Sequence, residues 1–564
     1  MSLSTRAAFF APAMWVGAVI FTTFNIDGAA GPAVADPSLF VPAQANPHDA
    51  SAMFTHSNNC LACHNNLTSP TGEDVSIGAS WRGTIMANSA RDPYFHASVR
   101  REVMDHGAKA PTIARQIEDE CAACHMPIAQ KMAHAAGSQG EVFAHLPIKA
   151  GDEALAADGI SCSVCHQIAP DGFGTRESFN GRFTVAAPLA DGTRRAFGPL
   201  SPDAGRRRIM RSVTGFEQTP APHIRQSELC ATCHTLITEA IGPNGDVIGS
   251  LPEQMNYQEW RHSAFFNEEK SCQSCHMPRV EGPVRVSSVL GDYRDGLSRH
   301  VFVGGNAFML RIMNRFRVEL GVEATSAELA ATTSATVQQI ARDTAAVSIT
   351  DAAVSGGALG VDVAVTNLTG HKFPTGYPSR RAWLHLTVRD AGGRIVFESG
   401  AVDPSGAIVG NDGDAAGTTF EPHYREISRA DQVQIYESIM GTPAGQPTTG
   451  LLQATQYLKD NRLLPRGFDK STAPEEIAVF GGASADPDFA GDGDRVRYQV
   501  PLGNTPAAGL SVDVELRYQS IGYRWAKNLA TYDAKEPKAF LGYYDALASS
   551  SSLVVARASR RVAP

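Results

Sequence analysis

The pattern of hydrophobic and polar positions divides the chain into two parts. Between residues 36 and 300, glycine and proline are frequent and regular periodicity is poor, which predicts loops and short helices. Proline is favoured at the first position of a helix, so Asp92-Pro93 predicts one helix start. Pro111 predicts a second helix that runs towards Cys121.

Two further helices are predicted where the pattern changes. Asn306 is a suitable N-cap for a segment with one apolar face, formed by Phe308, Ile312, Phe316 and Leu320. Thr325 and Glu328 have the spacing of a capping box, which predicts a second helix reaching about Asp343.

After residue 345 the hydrophobic positions alternate, which predicts half-buried strands. The alternating sets are Val361, Val363 and Val365; Leu384, Leu386 and Val388; Ile395 to Phe397 after a Gly392-Gly393 hairpin; and Val512, Val514, Leu516 and Tyr518. We therefore predict an antiparallel, sandwich-like β-rich domain over 345–564, with an irregular insertion around 405–490. The predicted fold class is α+β, with a mostly α-helical and loop domain over 36–310 and a helical connector over 311–344.

The N-terminus has the pattern of a secretory signal peptide. Arg6 precedes an apolar run from Ala7 to Phe24, and a small-residue segment ends at Ala35. A basic start, an apolar centre and an Ala-x-Ala end predict cleavage after Ala35, and the run is short and interrupted for an uncleaved membrane anchor. We therefore assign residues 1–35 to a signal peptide and expect an exported, periplasmic protein.

Composition and charge exclude other classes of protein. Apolar residues make up 43% and charged residues 19% of the 564 residues, which is ordinary for a globular chain. The net charge is −9, from 49 basic and 58 acidic residues. A nucleic-acid partner is not expected, because phosphate binding needs a basic surface.

All ten cysteines fall in five copies of the pattern Cys-x-x-Cys-His. We number the copies motifs 1 to 5: Cys60, Cys63 and His64; Cys121, Cys124 and His125; Cys162, Cys165 and His166; Cys230, Cys233 and His234; Cys272, Cys275 and His276. This pattern attaches haem c: the thiols bond the porphyrin vinyl groups and the histidine becomes the proximal iron ligand. Zinc sites, thioredoxin-like pairs and disulfides do not require a histidine after every second cysteine. We therefore predict five covalently attached haems, packed closely enough for electron transfer.

Six-coordinate haems need a second axial ligand, and twelve histidines remain outside the motifs. Five haems need at most five of them, so most must be ordinary histidines. Local context favours six candidates: His262 before motif 5, His300 and His371 in glycine-rich turns, His223 and His56 before motifs 4 and 1, and His96 early in a helix. His145 is a reserve candidate, and Met86 is an alternative of a different ligand type.

These residues resemble a known group of proteins. Residues 50–310 resemble multihaem c-type cytochromes of the cytochrome c-554 type, in the superfamily of pentahaem nitrite reductase and octahaem hydroxylamine oxidoreductase. The resemblance implies stacked haems with mainly two histidine ligands each, in a periplasmic or outer-surface electron pathway. It does not carry over those enzymes' activities, because all five motifs here end in histidine whereas the nitrite reductases use a lysine at the catalytic haem.

We therefore expect an exported pentahaem cytochrome that carries electrons between redox partners. The partners would be other cytochromes or a membrane quinol-linked complex, with membrane or surface association through them. The alternative is an oxidoreductase in which one haem keeps an open site for a small inorganic nitrogen or sulfur substrate. A calcium site is a further alternative to a solvated acidic loop at Asp486, Asp488, Asp492 and Asp494.

Overall fold

The computed structural model describes residues 53–107, 110–149, 151 and 154–562, so the predicted signal peptide lies outside the described residues. It contains both helices and strands, which confirms the α+β fold class. None of the helices in these ranges has the length and apolar character needed to span a bilayer.

Short helices dominate the part of the chain that carries the five motifs. They are α1 (Ser57–Leu61), α2 (Ile77–Arg82), α3 (Pro93–Glu102), α4 (Pro111–His125), α5 (Pro127–Ala135), α6 (Cys162–Cys165), α7 (Ala204–Thr214), α8 (Ser227–His234), α9 (Asn256–Arg261), α10 (Ala264–Asn267) and α11 (Cys272–His276). The two predicted starts are confirmed: Pro93 and Pro111 occupy first positions, and the Asp92 carboxylate accepts from the N–H groups of Tyr94 and Phe95.

Three small sheets in this part were not predicted. They pair β1 (Arg194–Gly198) with β2 (Phe216–Pro220), β3 (Thr235–Ile241) with β4 (Val247–Met255), and β5 (Val284–Arg285) with β6 (Tyr293–Arg294). Most of these strands are only partly buried and lack regular alternation of buried and exposed residues. The period-two signal on which strand prediction depends is therefore missing.

The two predicted connector helices are α12 (Ala307–Arg315) and α13 (Ser326–Asp343). Asn306 caps α12 through the N–H of Met309, and Thr325 and Glu328 form the predicted capping box of α13. Helix α12 ends before Phe316, so it is shorter than its apolar pattern indicated.

Two sheets occupy the C-terminal part and share one hydrophobic core. Their strands are β7 (Ala345–Ser355), β8 (Ala358–Asn367), β9 (Arg381–Arg389), β10 (Ile395–Ser399), β11 (Glu426–Ile427), β12 (Ile435–Gly441), β13 (Pro447–Thr448), β14 (Gln456–Asp460), β15 (Gly493–Pro501), β16 (Ser511–Gln519) and β17 (Ser552–Arg561). The larger sheet has the order β13-β12-β9-β16-β17, with β10 on β9 and β14 on β12. The smaller has the order β11-β15-β8-β7, and the alternating residues of β8, β9 and β16 are buried as predicted.

The C-terminal part also returns to the motif-bearing part. Besides α14 (Asp412–Ala415) it contains α15 (Tyr523–Asn528) and α16 (Lys535–Leu547), and α16 packs on α3. The rings of Phe540 and Tyr94 are 4.9 Å apart, and Arg100 Nε donates to Glu536 Oε2 at 2.8 Å. The two parts therefore share a second core and hold each other in place.

Candidate cofactor site

Each of the five motifs lies in or at the end of a short helix. Motif 1 begins in α1 and extends beyond its end, motifs 2 and 4 end α4 and α8, and motifs 3 and 5 form α6 and α11. In a helical turn, two side chains three positions apart lie on the same face. The two thiols of each motif are therefore presented together, with the histidine beside the second one.

All five motifs line one continuous cavity of about 1660 Å³. Its wall includes all ten cysteines and all five motif histidines, together with residues from the turn before β9 and from α13. Sequence positions far apart are thus brought to one interior surface, which extends through the motif-bearing part of the molecule.

Contacts between thiols connect the motifs to one another. The thiols of Cys60 and Cys162, of Cys124 and Cys233, and of Cys230 and Cys272 are neighbours, and in each pair the second thiol raises the pKa of the first. In addition, the thiol of Cys165 is close enough to Cys233 for the latter to raise its pKa. Motif 1 therefore adjoins motif 3, motif 3 adjoins motif 4, and motif 4 adjoins motifs 2 and 5.

Three motif histidines are oriented by backbone carbonyl groups. The Nδ1 atoms lie within hydrogen-bond distance of a carbonyl oxygen: His64 of Val286 at 2.6 Å, His166 of Phe197 at 2.5 Å, and His276 of Val303 at 2.5 Å. A carbonyl can only accept, so Nδ1 carries the proton and Nε2 keeps its lone pair. This is the arrangement in which a metal-binding histidine is held by a second partner.

Burial keeps four of the motif imidazoles neutral, those of His64, His125, His166 and His234. It lowers the pKa of His125 and His234 to about 4 and lowers the pKa values of His64 and His166. A neutral imidazole is the form that coordinates iron.

Two motif histidines face a second imidazole across the cavity. The ring centres of His166 and His300 are 6.4 Å apart at an angle of 18°, and those of His276 and His371 are 6.3 Å apart at 19°. Two nitrogen–metal bonds of about 2.0 Å and two ring half-widths of about 1.1 Å sum to about 6.2 Å, so the spacing fits two imidazoles on one metal ion. Nδ1 of His300 and of His371 is also near a carbonyl oxygen, of Ser298 and Lys372 respectively, which leaves Nε2 free.

The other four predicted axial candidates do not line the cavity. In each of them an oxygen of the protein lies near Nε2: Asp158 for His56 at 3.4 Å, Ala90 for His96 at 2.9 Å, Ile168 for His223 at 2.9 Å, and Asp469 for His262 at 3.2 Å. His56 also caps α1 through Nδ1. The structure thus gives these four histidines local partners and does not bring them opposite a motif.

For motifs 1, 2 and 4, the described residues include no parallel imidazole opposite the motif histidine. Among the remaining residues of the cavity wall, one histidine, His134, and three methionines, Met86, Met210 and Met277, have side chains of an axial-ligand type. His134 Nε2 lies 2.7 Å from Asp119 Oδ1. Sequence context gave no signal for His134, which is distinguished there only by its own polarity.

A group of buried polar side chains near motif 2 was also missed. Tyr94, Glu102, Glu253 and Tyr377 line the cavity, and Glu102 and Glu253 both raise the pKa of the Cys121 thiol, after the larger effects of burial and Glu120. The hydroxyl of Tyr377 is buried without a hydrogen-bond partner among the described residues. Polar groups that converge on a cavity are typical of binding sites.

The turn that presents His371 is held by buried charges from both parts of the molecule. Glu259 of α9 accepts from the backbone N–H of Lys372 and the hydroxyl of Thr375, and lies 2.9 Å from Arg462. Asp460 pairs with both Lys372 and Arg462. Since two cations offset two anions, the group can be buried without net charge.

Two arginines follow this turn, and they have different surroundings. Arg380 lines the cavity, whereas Arg381 forms two hydrogen bonds of 2.7 and 2.8 Å with Asp414. Arg380 is therefore placed to pair with an anionic group in the cavity, whereas Arg381 is already neutralised.

The four aspartates considered as a calcium site differ in burial. Asp486 and Asp494 are buried, whereas Asp488 and Asp492 are exposed. The buried pair lies within 4.8 Å of His423, a grouping of metal-ligand type. However, Nδ1 of His423 accepts from the side-chain amides of Gln434 and Asn461, so Nε2 carries the proton and donates to Asp486. Both ring nitrogens of His423 are thus already engaged in hydrogen bonds within the protein.

Of the comparisons with known proteins, the one with solved structures finds a similar fold. No protein-family model and no curated protein matches the sequence. The fold is similar to the crystal structure of a penta-heme cytochrome c552 from Thermochromatium tepidum, with a TM-score of 0.50 and 17% sequence identity. The similarity covers 90% of this chain and 99% of the other, so the shared architecture includes both the motif-bearing part and most of the β-rich part.

Proposed function

We propose that the chain is an exported multihaem c-type cytochrome that carries electrons between redox partner proteins. The observation that carries this proposal is that five Cys-x-x-Cys-His motifs line one continuous cavity. The similarity to a penta-heme cytochrome supports it. In this proposal the ten cysteines bind five haems covalently, and His64, His125, His166, His234 and His276 are the proximal ligands.

The chain's own groups hold and tune the cofactor. When bound, haem c supplies an iron that alternates between the ferric and ferrous states and carries one electron at a time. Backbone carbonyls fix the rings of three proximal histidines, and His300 and His371 provide second axial ligands opposite motifs 3 and 5. Because both axial positions are then filled by protein, these two sites are suited to electron transfer.

The contacts between motifs define the electron path. Motif 4 adjoins motifs 2, 3 and 5, and motif 3 adjoins motif 1. Motifs 1, 2 and 5 are therefore the ends of a branched path at which partners exchange electrons. Cys275 of motif 5 is the exposed cysteine of the ten, which makes that end accessible to a partner such as another cytochrome or a quinol-linked membrane complex.

In this proposal the haems bind mainly to the N-terminal domain, and the C-terminal domain completes one site. Residues 36–310 form the pentahaem domain, 311–344 connect it to the rest, and 345–564 form the β-rich domain. The β-rich part contributes His371 and the charges that hold its turn, so it completes the site at motif 5.

A second candidate function is an oxidoreductase with one open haem site. It is favoured by the absence, among the described residues, of an imidazole parallel to His125, and by the polar groups Tyr94, Tyr377 and Glu253 in the cavity wall near motif 2. A small inorganic nitrogen or sulfur compound would bind there.

Electron paramagnetic resonance of the oxidised protein separates the two functions. An electron carrier gives low-spin haem signals that do not change when cyanide or nitrite is added. A high-spin signal that converts to low-spin on adding either anion would instead support the open-site oxidoreductase.

A further inference from the structure

Glu253 is a buried carboxyl group without a cationic partner. It lies on β4 in the cavity wall, with 3% of its surface exposed. Its side chain accepts from Thr238 Oγ1 at 2.6 Å and from Gln254 Nε2 at 3.4 Å, and no Lys, Arg or His among the described residues forms an ion pair with it. Ionising a buried carboxyl without a counter-charge is costly, so a change of charge nearby decides whether this group holds a proton.

The groups around Glu253 come from four elements. Helix α3 contributes Tyr94, Arg101 and Glu102, the turn before β9 contributes Tyr377, and Tyr457 of β14 donates to the carbonyl of Pro252 at 3.0 Å. Thr238 of β3 donates to the carboxylate.

Arg101 does not neutralise Glu253, because its guanidinium is bonded to Glu102 at 2.5 Å. Burial is the largest effect and raises the pKa of Glu253 to about 7, while Thr238, Gln254 and Arg101 lower it and Glu102 raises it.

Glu253 lies between two motifs. It acts electrostatically on the Cys121 thiol of motif 2, and the β3–β4 hairpin that carries it directly follows motif 4. Glu102 acts electrostatically on it as well, and a Glu102 carboxylate oxygen lies 3.8 Å from Nε2 of the buried His106 side chain.

We propose that Glu253 binds a proton when the neighbouring haem site is reduced, so that electron transfer there is coupled to proton uptake. This inference rests on the proposed function. A one-electron donor protein supplies one electron, which lowers the charge at the iron by one, and the Glu253 carboxylate takes one proton from solvent to become a carboxylic acid. The net charge of the interior is then unchanged, which removes the cost of an added buried charge.

The test is a spectroelectrochemical titration that measures the haem midpoint potentials of the haem-loaded protein from about pH 5.5 to about pH 8.5. This interval brackets the pKa of Glu253, where such coupling is visible. In the unmodified protein we expect one midpoint potential to fall as the pH rises through 7. Glu253→Gln should lose that dependence, whereas Asp246→Asn, an exposed carboxylate in the same hairpin, should keep it. Thr238→Val removes a bond to the carboxylate and should shift the inflection to higher pH.

If the midpoint potential of Glu253→Gln depends on pH as in the unmodified protein, the proposal is overturned, and other titratable groups take up the proton. If that variant does not fold, reduced-minus-oxidised infrared spectra of the unmodified protein decide the matter, because the proposal requires a protonated carboxyl band to appear on reduction. The absence of this band would overturn it as well. A haem count below five, by contrast, would contradict the proposed function itself.

Discussion

At the scale of single residues, the free ring nitrogen separates the two histidines proposed as axial ligands from the other candidates. His300 and His371 keep Nε2 free because Nδ1 is held by a carbonyl, whereas Nε2 of His223 and His262 already has an oxygen partner. Glycine-rich context in the sequence favoured His300 and His371, but it could not exclude the others. The deciding partners are distant in sequence, such as Asp469 for His262, so no local pattern reveals them.

Replacement of His371 tests this assignment. His371→Ala removes an axial ligand, so one haem should change from low-spin to high-spin and its potential should rise, while the haem count stays at five. His262→Ala is the matched control, because that histidine lies outside the cavity wall and should leave the spectrum unchanged. The measurement is electron paramagnetic resonance, and a folded His371→Ala protein with an unaltered spin state would contradict the assignment.

Asp494 makes stability depend on pH. Burial raises its pKa from 3.8 to about 7, and it accepts hydrogen bonds from Tyr436 and Gln434. Between pH 4 and 7 the folded protein holds a proton that the unfolded chain releases, so the free energy of unfolding falls as the pH rises, by about 1.4 kcal/mol per pKa unit of difference.

Asp494→Asn should therefore flatten the decline in melting temperature between pH 5 and 8, because asparagine cannot ionise. Asp488→Asn, at an exposed position of the same loop, is the control. An equal pH dependence in both variants would show that the proton is held elsewhere.

At the scale of elements, local signals predicted the ends of helices well. The helix start at Pro93 and the caps at Asn306 and Thr325 form as predicted, since such signals depend on residues only two or three positions apart. The hairpin β3–β4 was missed because its hydrophobic positions do not alternate regularly, and the pairing of β12 with β9 was missed because these strands are far apart along the chain.

The capping box of α13 offers a measurement of such a local signal. Thr325→Ala removes the acceptor for the Glu328 N–H and should destabilise the folded protein by about 1 kcal/mol. Ser334→Ala, at an exposed position inside the same helix, should be neutral or slightly stabilising. Thermal unfolding of the haem-loaded variants compares the two, and equal melting temperatures would contradict the role of the cap.

The turn that carries His371 depends on Glu259. Glu259→Gln removes one charge of a buried, balanced group, and breaking such a group costs about 3–5 kcal/mol. We expect a mixture of low-spin and high-spin states at one haem and a lower melting temperature.

The control for this change is Glu268→Gln, which alters an exposed pair with Arg466. It should change neither property, because surface ion pairs contribute little to stability. A uniform low-spin spectrum in Glu259→Gln would show that the turn is held without this carboxylate.

At the scale of the whole molecule, the sequence predicted a motif-bearing part and a β-rich part, but it did not predict how the two pack against each other. Alternation in β8, β9 and β16 predicted a β-rich half, because its core forms between its own sheets. The packing of α16 on α3 and the pairing of His276 with His371 join residues that are far apart along the chain. Such contacts follow from the shape of the cavity, which no local pattern encodes.

The central claim, five covalently attached haems on one chain, is tested most directly by intact mass spectrometry of the mature protein together with a pyridine haemochrome assay. We expect the mass of the mature polypeptide plus five haem groups, and five haems per chain in the assay, since all ten cysteines belong to the five motifs. A fully matured protein with fewer than five haems, or one that contains zinc and lacks haem absorption, would contradict it.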